Sequence, residues 1–322
     1  MFCSTIIPTI GRPTLSRAVY SVLDQRFTAD DFEVIVVNDL GQPLLEADWQ
    51  KSERVRLIHT NRHERSVARN TGAAIARGRY LHFLDDDDWL LPGALENFWT
   101  LGTNNDAAWL YGGSQLVDRE GEPIIQLHHE MDGNCFIQVL AGEWIPLQGS
   151  LIDTEVFFAV GGFNPLIPGI EDVDLARQIT LHGDLASIPA TVACISMGEE
   201  GSSTNHLRAA KYGRWAREKV LSEPGVFARM RTSARSSYWY GRIIRAYLTS
   251  VIWNLQHKKV FVAASRMTFG LMGFVLASRY IFSKNFWNSV MNSYESKTFL
   301  EGFQHAGRSV ERRKVHKAHL VS

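Results

Sequence analysis

Along the first 200 residues, two kinds of hydrophobic pattern alternate. Short runs of β-branched and apolar residues are separated by stretches in which apolar positions recur at helical spacing. This alternation is typical of strand and helix units that build a mainly parallel sheet. The apolar run at residues 34–37 has no polar face, which favours a strand buried on both sides. The predicted strands are residues 2–8, 33–38, 54–59 and 79–84, and the predicted helices between them are residues 13–25 and 66–77.

The pattern becomes less regular beyond residue 109, where glycines interrupt short apolar runs. A helix is predicted from about Asp172 to Leu181, followed by a polar loop at residues 199–205. Further helices are predicted at residues 207–222, 235–256, 259–282 and 286–300, before a basic tail at residues 308–317. The chain is therefore expected to form an α/β domain over residues 1–205 and a helical, basic region over residues 206–322, which we expect to associate with a membrane.

The segment 260–282 nears the length of about 20 apolar residues that spans a bilayer. Arg266 and Arg279 interrupt it, and an arginine at the bilayer centre costs about 2.5 to 3.5 kcal/mol. Packed or interfacial amphipathic helices are therefore favoured over a membrane span.

The net charge of zero hides a strong asymmetry. Residues 1–200 hold 13 Lys/Arg against 29 Asp/Glu, whereas residues 201–322 hold 21 against 5. The acidic residues 1–200 can bind a metal ion, and the basic residues 201–322 can bind phosphates or anionic lipid headgroups. Electrostatic docking of the two parts on each other is the alternative explanation.

The cysteines and the N-terminus favour a reducing compartment. Cys3, Cys135 and Cys194 are odd in number and lack metal-ligand spacing, which argues against a disulfide framework and a zinc site. The chain begins with an apolar, β-branched stretch in place of a basic leader. We therefore expect a cytoplasmic protein, peripheral on the cytoplasmic face of the membrane.

Four adjacent carboxylates, residues 85–88, follow the predicted strand 79–84. Asp39 likewise follows the strand at 33–38, and ligands in open α/β sheets bind beyond the carboxyl ends of strands. Four neighbouring carboxylates repel one another unless a cation or hydrogen-bond donors neutralise them. Oxygen ligands of this kind suit Mg²⁺ or Mn²⁺, although an exposed acidic turn would have the same sequence.

This acidic segment resembles the Asp-x-Asp region of family 2 glycosyltransferases, which have the GT-A fold. Other segments occur in the order found in that family: residues 6–13, 21–25, 36–39, 66–72, 161–164 and 171–175. The resemblance covers about residues 3–200. It implies an α/β, Rossmann-like nucleotide-binding domain with a mainly parallel central sheet, and it does not extend to the C-terminal helical region.

The resemblance implies a set of donor-binding residues: Thr9, Arg12, Asp39, Arg69, Asp85 and Asp86. In this family Asp39 would accept from the nucleotide base, and Arg69 would approach the base or a phosphate. Asp85 and Asp86 would contact the ribose and the sugar. Asn38 stands where the family often has Asp, which leaves the choice of base open. For Arg69 and Asp39 the alternatives are a solvated helix residue and a turn carboxylate.

The metal ligand implied by the resemblance is Asp87, binding Mn²⁺ or Mg²⁺. The segment 199–206 corresponds to a mobile cover over the donor, where His206 could add a metal or phosphate ligand, and an ordinary loop histidine is the alternative. Trp109 and Trp144 could form acceptor walls by stacking on a sugar, whereas core packing is the simpler role for both.

The resemblance also implies that Asp172 is the general base that takes the proton of the acceptor hydroxyl, with Glu171 supporting it. Both residues begin a predicted helix, so capping of that helix is the alternative role.

The predicted function is an inverting glycosyltransferase that moves a sugar from a nucleotide-diphosphate sugar, a UDP-sugar by resemblance, to a hydroxyl acceptor. The acceptor would be a glycan or lipid-linked glycan in polysaccharide or lipopolysaccharide synthesis, and no nucleic acid is expected as a partner. A sugar-nucleotide-forming nucleotidyltransferase and a non-catalytic sugar-binding protein of the same fold are the alternatives. The nucleotidyltransferase would require a glycine-rich basic loop after the first strand, where this chain offers only Gly11 and Arg12.

Overall fold

The computed structural model describes residues 1–118, 120–128, 131–197 and 206–292, without the side chains of residues 206–211. The strands are β1 (Cys3–Thr9), β2 (Phe32–Asn38), β3 (Val55–His59), β4 (Tyr80–Phe83), β5 (Trp89–Leu90), β6 (Trp109–Val117), β7 (Pro123–Leu127), β8 (Ser150–Asp153) and β9 (Leu185–Ser196). The helices are α1 (Leu15–Leu23), α2 (Arg65–Ala74), α3 (Ala94–Thr103), α4 (Phe136–Ala141), α5 (Thr154–Ala159), α6 (Glu171–His182), α7 (His206–Leu221), α8 (Val226–Thr232), α9 (Ser236–Gln256), α10 (Val260–Leu276) and α11 (Lys284–Met291).

Within these residues the strands form one sheet in the order β3-β2-β1-β4-β8-β6-β9-β5, with β7 paired to β6. The four strands from β3 to β4 are parallel. Beyond them β8 runs antiparallel between β4 and β6, whereas β6 and β9 pair in parallel. The predicted parallel arrangement thus describes the first half of the sheet, and the second half is mixed.

Every residue of β1 and β2 is buried, because helices cover both faces of the sheet. One core cluster packs α1 and α3 against one face, and a second packs α2 and α6 against the other. Trp109 belongs to the second cluster and is fully buried, so it packs in the core and forms no acceptor wall.

The first four predicted strands lie within one residue of the observed bounds. In the C-terminal region α7 and α9 match their predicted spans closely, whereas α8 is an additional helix. The helix predicted at residues 259–282 ends earlier, at Leu276, and a short 3₁₀ turn at Ser278–Tyr280 follows it. None of the described helices has both the length and the apolar composition needed to cross a bilayer.

The C-terminal helices pack directly on the α/β part of the chain. A third hydrophobic cluster combines Phe136 and Leu140 of α4 with Trp239, Ile244 and Phe286 of the helical region. Next to it the Tyr238 hydroxyl donates to the buried carboxylate of Glu143. Arg177 of α6 donates to the carbonyl oxygen of Gly213 in α7 at 3.1 Å. Apolar packing and polar contacts therefore both connect the two parts.

Candidate active site

The predicted site residues come from three parallel strands that end at one edge of the sheet. Thr9 is the last residue of β1, Asp39 follows β2, and the acidic run 85–88 begins two residues after β4. Because β1 pairs with both β2 and β4 in parallel, these carboxyl ends are neighbours. The backbone N–H of Asp39 donates to the carbonyl oxygen of Thr9 at 2.8 Å, which holds two of the strand ends together.

Asp85 and Asp88, at the two ends of the acidic run, contact residues from other parts of the chain. Asp85 accepts from Arg69 at 2.6 Å and from the Gln148 side chain at 3.2 Å. Asp88 accepts from the backbone N–H of Ser196, at the end of β9, at 2.7 Å. A hydrogen bond of 3.1 Å from the Asp88 N–H to the Asp85 carbonyl oxygen closes the turn. This tight turn points adjacent side chains in different directions.

Asp86 contacts the end of β1 and the turn that follows it. Its carboxylate accepts from the Thr9 hydroxyl at 2.6 Å and from the Arg12 guanidinium. Thr9 in turn accepts from the backbone N–H of Gly11 at 2.9 Å, which shapes the turn after β1. Thr9, Arg12 and Asp86, which the resemblance placed at the donor, therefore form one hydrogen-bonded group.

Asp85, Asp87 and Asp88 can each direct one carboxylate oxygen to a common point, with the three oxygens within 4.8 Å of one another. Burial and the neighbouring Asp85 raise the pKa of Asp87, although Arg12 opposes this. Burial, together with Asp85 and Asp87, raises the pKa of Asp88 well above its usual range. Mutual repulsion of carboxylates is the electrostatic condition that a divalent cation relieves, so this oxygen-only cluster fits Mg²⁺ or Mn²⁺.

Asp87, the predicted metal ligand, belongs to this cluster together with Asp85 and Asp88, and its binding of a metal ion stays a prediction. His206 is the first residue of α7, and its side chain lies outside the described part of the structure. Its role as a ligand stays a prediction.

Asp39 is buried and accepts several hydrogen bonds from the loop that follows β3. The donors are the Thr60 hydroxyl at 2.7 Å and the backbone N–H groups of Arg62 at 2.8 Å and Glu64 at 2.7 Å. Burial would raise the pKa of Asp39, but these hydrogen bonds outweigh it and lower the pKa below its usual value. In this structure the carboxylate shapes the loop beside the crevice, and its contact with a nucleotide base stays a prediction.

Arg69 joins the acidic run to the N-terminus of α6. Its buried guanidinium donates to Asp85 at 2.6 Å and to Glu171 at 3.2 Å, and it lies 5.2 Å from the ring centre of Phe163. Burial alone would lower the pKa of Arg69, but Asp85 and Glu171 raise it above its usual value. The Arg69 Nε is buried and has no hydrogen-bond partner among the described residues. The Arg69 guanidinium is therefore a permanent positive charge between Asp85 and Glu171.

Asp172 is the second residue of α6, and the N-cap position belongs to Ile170. The Asp172 carboxylate accepts from the Trp144 indole N–H at 2.9 Å and from the backbone N–H of Val173 at 2.8 Å. Burial and the adjacent Glu171 raise the pKa of Asp172, while the Trp144 hydrogen bond opposes them. A half-buried carboxylate with a raised pKa is a stronger base than an exposed one.

Glu171 is more deeply buried than Asp172 and has more polar contacts. It accepts from Arg69, lies 3.2 Å from Arg65, and accepts from the backbone N–H of Gly169 at 2.7 Å. These contacts direct Glu171 towards Arg69 and the helix start, and its supporting role beside Asp172 stays a prediction.

Three contacts at this site, made by Trp144, Gln148 and Ser196, were not predicted from the sequence. Gln148 contacts Asp85, and its backbone carbonyl oxygen lies 3.0 Å from the Nε2 of His82. Burial lowers the pKa of His82 to about 4, so this histidine is a neutral member of the network. The residues lie in the irregular segment after residue 109, where no periodic pattern indicated a side-chain direction.

Comparison with known proteins is consistent with this arrangement. The model of the family "Glycosyl transferase family 2" matches residues 4–165. Poly(ribitol-phosphate) beta-N-acetylglucosaminyltransferase TarP of Staphylococcus aureus (strain N315) is 33% identical over 163 residues, covering 49% of this chain and 46% of that protein. The putative teichuronic acid biosynthesis glycosyltransferase TuaG of Bacillus subtilis (strain 168) is 27% identical over 158 residues, covering 47% of this chain and 62% of that protein. The matches thus span about half the length of these curated relatives.

Solved structures of Staphylococcus aureus TarS share the fold. TarS 1-349 in complex with UDP-GlcNAc superposes with a TM-score of 0.54 at 13% identity, covering 76% of this chain and 80% of that chain. The complex with UDP gives a TM-score of 0.51 at 13% identity, covering 87% and 91%. The predicted fold class, a GT-A type domain followed by a helical region, is confirmed.

Proposed function

Because the chain belongs to glycosyltransferase family 2, we propose that it transfers a sugar from a nucleotide-diphosphate sugar to a hydroxyl group, with inversion at the anomeric carbon. The observation that carries this proposal is the bridge made by Arg69 between Asp85 and Glu171. It joins the acidic strand end, where the donor would bind, to the helix that bears Asp172. A donor and a base for the acceptor can therefore meet in one crevice.

In the proposed reaction Asp172 accepts the proton of the acceptor hydroxyl. That oxygen forms a bond to the anomeric carbon while the bond from this carbon to the diphosphate oxygen breaks. The nucleotide diphosphate leaves with the bonding electron pair, and one displacement inverts the configuration. The Trp144 indole N–H donates to one oxygen of the Asp172 carboxylate and so fixes the orientation of that group. Arg69 adds a fixed positive charge near the leaving group.

Asp85, Asp87 and Asp88 are proposed to hold Mn²⁺ or Mg²⁺. A cation held there would supply positive charge that stabilises the departing diphosphate. Asp87 is the most exposed of the three, so it offers the freest oxygen to an ion that also contacts a ligand. Asp86 supports the cluster by tying the turn to Thr9 and Arg12, next to the proposed ribose and sugar positions.

The donor is proposed to be a UDP-sugar, with UDP-GlcNAc as the first candidate. The fold-related TarS structures contain UDP-GlcNAc and UDP, and TarP is named as an N-acetylglucosaminyltransferase. The names of TarP and TuaG refer to poly(ribitol-phosphate) and teichuronic acid, which supports a role in polysaccharide synthesis. We place the reaction in the cytoplasm, with the C-terminal region meeting the anionic membrane surface.

The test is calorimetric titration of UDP in the presence of Mn²⁺ and in the presence of a chelator. Phosphates are repelled by the carboxylates unless a cation lies between them, so affinity should fall by at least about tenfold with chelator. Asp87→Asn should show the same loss in the presence of Mn²⁺. Asp48→Asn is a matched control, because Asp48 is an exposed carboxylate paired with Lys51. Equal affinity with chelator and with Mn²⁺ would remove the metal assignment.

Transfer itself is tested with UDP-GlcNAc and mixed hydroxyl acceptors, by following UDP release and the anomeric configuration of the product. UDP release should depend on Asp172, and the product should have the inverted anomeric configuration. Binding of UDP-GlcNAc without turnover under any of these conditions would favour a sugar-binding protein of the same fold.

A further inference from the structure

Helices α9 to α11 carry an unusually apolar exposed surface. On α10 only Ala263 and Gly270 are buried, and almost every other apolar side chain of this helix faces outward. Phe261, near the start of the helix, is 93% exposed, and Phe282, beyond the 3₁₀ turn that follows the helix, is 95% exposed. We call this surface the C-terminal apolar face. Its members are Ile252, Leu255, Val260, Phe261, Val262, Met267, Phe269, Leu271, Met272, Val275, Leu276, Phe282, Trp287 and Met291.

The apolar face extends along the whole of α10. Phe261 follows the first residue of the helix and Val275 is next to its last residue, so the exposed side chains cover about 25 Å of helix length. An exposed apolar surface of this extent is normally covered in a folded protein or marks an interaction site. Exposed apolar side chains lie on both sides of Arg266 from one end of α10 to the other, which fits a partner with a flat, extended surface.

Charge indicates the chemistry of that partner. Residues 224–292 contain 10 Lys/Arg and no Asp or Glu. Lys258 and Lys259 are exposed at the turn before α10, and Lys284 is exposed at the start of α11. Lys259 also lies 5.0 Å from the ring centre of Trp253, an arrangement in which the aliphatic stem follows apolar surface while the ammonium stays in water. The apolar face is therefore bordered at both ends of α10 by cations.

A bilayer with anionic headgroups matches both features. Interfacial helices bury an apolar side about 5 to 10 Å deep and place lysines at the headgroup level, where the half-exposed Trp253 and Trp287 would also be favoured. A second copy bound through the same face would oppose two sets of these cations without an acidic partner in residues 224–292. The charge pattern thus favours the membrane over self-association.

We propose that α10, with the adjoining end of α9 and Phe282, lies in the plane of an anionic membrane and docks the protein there. This deepens the membrane association proposed above and is independent of the transfer chemistry. Docking would hold the crevice at a fixed height above the bilayer, where a lipid-linked acceptor is available.

The test is flotation of the full-length protein with phosphatidylcholine vesicles that either contain or lack phosphatidylglycerol. The protein should float with the anionic vesicles, and added salt should weaken this binding. Phe261→Ser combined with Phe282→Ser should reduce the partition coefficient by at least about tenfold, because two exposed rings would no longer enter the membrane. Lys258→Gln and Lys259→Gln should each reduce it about fivefold at low salt.

Matched controls come from the catalytic part of the chain. Leu45→Ser replaces a side chain that is 91% exposed, and Lys51→Gln replaces an exposed lysine. Neither should change partitioning, and UDP affinity should be the same in all these variants. Wild-type partitioning by the double Phe variant, or absence of flotation with anionic vesicles, would overturn the proposal. A dimer in sedimentation velocity that the double Phe variant dissociates, without vesicle binding, would assign the face to a second copy and also overturn it.

Discussion

At the residue scale, adjacent carboxylates take different roles because a tight turn separates their directions. Asp86 turns towards Thr9 and Arg12, while Asp85, Asp87 and Asp88 can converge on one point. Two of the converging carboxylates, Asp87 and Asp88, have raised pKa values because of burial and of neighbouring carboxylates, Asp85 among them. Adjacent carboxylates also differ at the start of α6, where Glu171 pairs with Arg65 and Arg69, whereas burial and the neighbouring Glu171 raise the pKa of Asp172.

Asp172→Asn distinguishes catalysis from helix capping. Asp172 is not the N-cap residue, and an amide can still accept from one of its two donors, so stability should change by no more than about 1 kcal/mol. The amide cannot take a proton, so transfer should fall by a factor on the order of 10² to 10⁴. UDP affinity should be retained. Steady-state rates, calorimetry and thermal unfolding of one preparation measure all three, and transfer at the parent rate would rule out the proposed role.

Trp144→Phe should shift the acid limb of the pH–rate profile for sugar transfer to higher pH. The indole N–H hydrogen bond stabilises the ionised form of Asp172, so its loss should raise the pKa of that carboxyl further. The rate should then begin to fall at a higher pH than in the parent protein as the solution is acidified. Rate profiles against pH for the two proteins would check this, and an unchanged acid limb would mean that Asp172 is not the titrating base.

His82 makes the native state sensitive to acid. Burial lowers its pKa from 6.5 to about 4, so between these values the unfolded chain binds the proton and the folded protein does not. The stability that the neutral ring contributes is complete above pH 6.5 and is lost as the pH falls towards 4, by about 3 kcal/mol in all. Urea unfolding across this range should show a steeper loss for the parent than for His82→Gln.

The difference between the two proteins is the informative quantity in that experiment. Carboxyls with raised pKa values, such as Asp88 and Asp172, bind protons first in the folded state and act in the opposite direction. They are present in both proteins and cancel in the difference. Parallel curves for the parent and His82→Gln would contradict the buried neutral state.

At the element scale, α2 lies close to the sheet because its inward side is made of small residues. A Cβ atom placed on Gly72 would lie 2.5 Å from the Ile6 Cγ2 and 3.0 Å from the Val37 Cγ2. Both side chains belong to fully buried strands and have little room to move. The position of Arg69, three residues earlier on the same helix, depends on this close packing.

Gly72→Ala should therefore destabilise the protein by about 1 to 3 kcal/mol, the usual cost of overpacking a core. Gly213→Ala is the matched control, since it makes the same substitution within α7 where, among the described residues and apart from the helix backbone, no atom lies within 4 Å of the new Cβ. There the higher helix propensity of alanine should stabilise the protein by up to about 1 kcal/mol. Denaturant unfolding of both variants shows whether each substitution raises or lowers the free energy of unfolding. An unchanged free energy of unfolding for Gly72→Ala would show that α2 can move away from the sheet.

At the scale of the whole molecule, the helical region is part of the folded unit that carries the site. The cluster around Phe136, Trp239 and Phe286 contains side chains from both parts, and α6, which bears Asp172, contacts α7 through Arg177. Any change that loosens these helices should therefore also affect the crevice.

Phe286→Ala should destabilise the entire chain by about 3 to 5 kcal/mol, because Phe286 is fully buried at this junction. Unfolding should remain one transition, with UDP binding lost at the same denaturant concentration as the C-terminal helices. Phe282→Ala removes an equal side chain that is 95% exposed and should have little effect on stability. Loss of the C-terminal helices while UDP binding persists would contradict a shared folded unit.

The sequence by itself determined the first four strands, the helices between them and the carboxyl ends at which the acidic residues lie. Those features depend on periodicities of two and 3.6 residues, which are local properties of the chain. The resemblance added roles for individual residues, and those roles stay predictions that the variants above test. Only the tertiary structure decided that Asp86 leaves the acidic cluster, that Gln148 and Ser196 contact it, and that Trp144 reaches Asp172.

It also decided that β8 inserts antiparallel between β4 and β6. These contacts join segments that are far apart in the chain. Their geometry depends on how the sheet and helices pack around them, and no short-range pattern of polar and apolar positions encodes that packing.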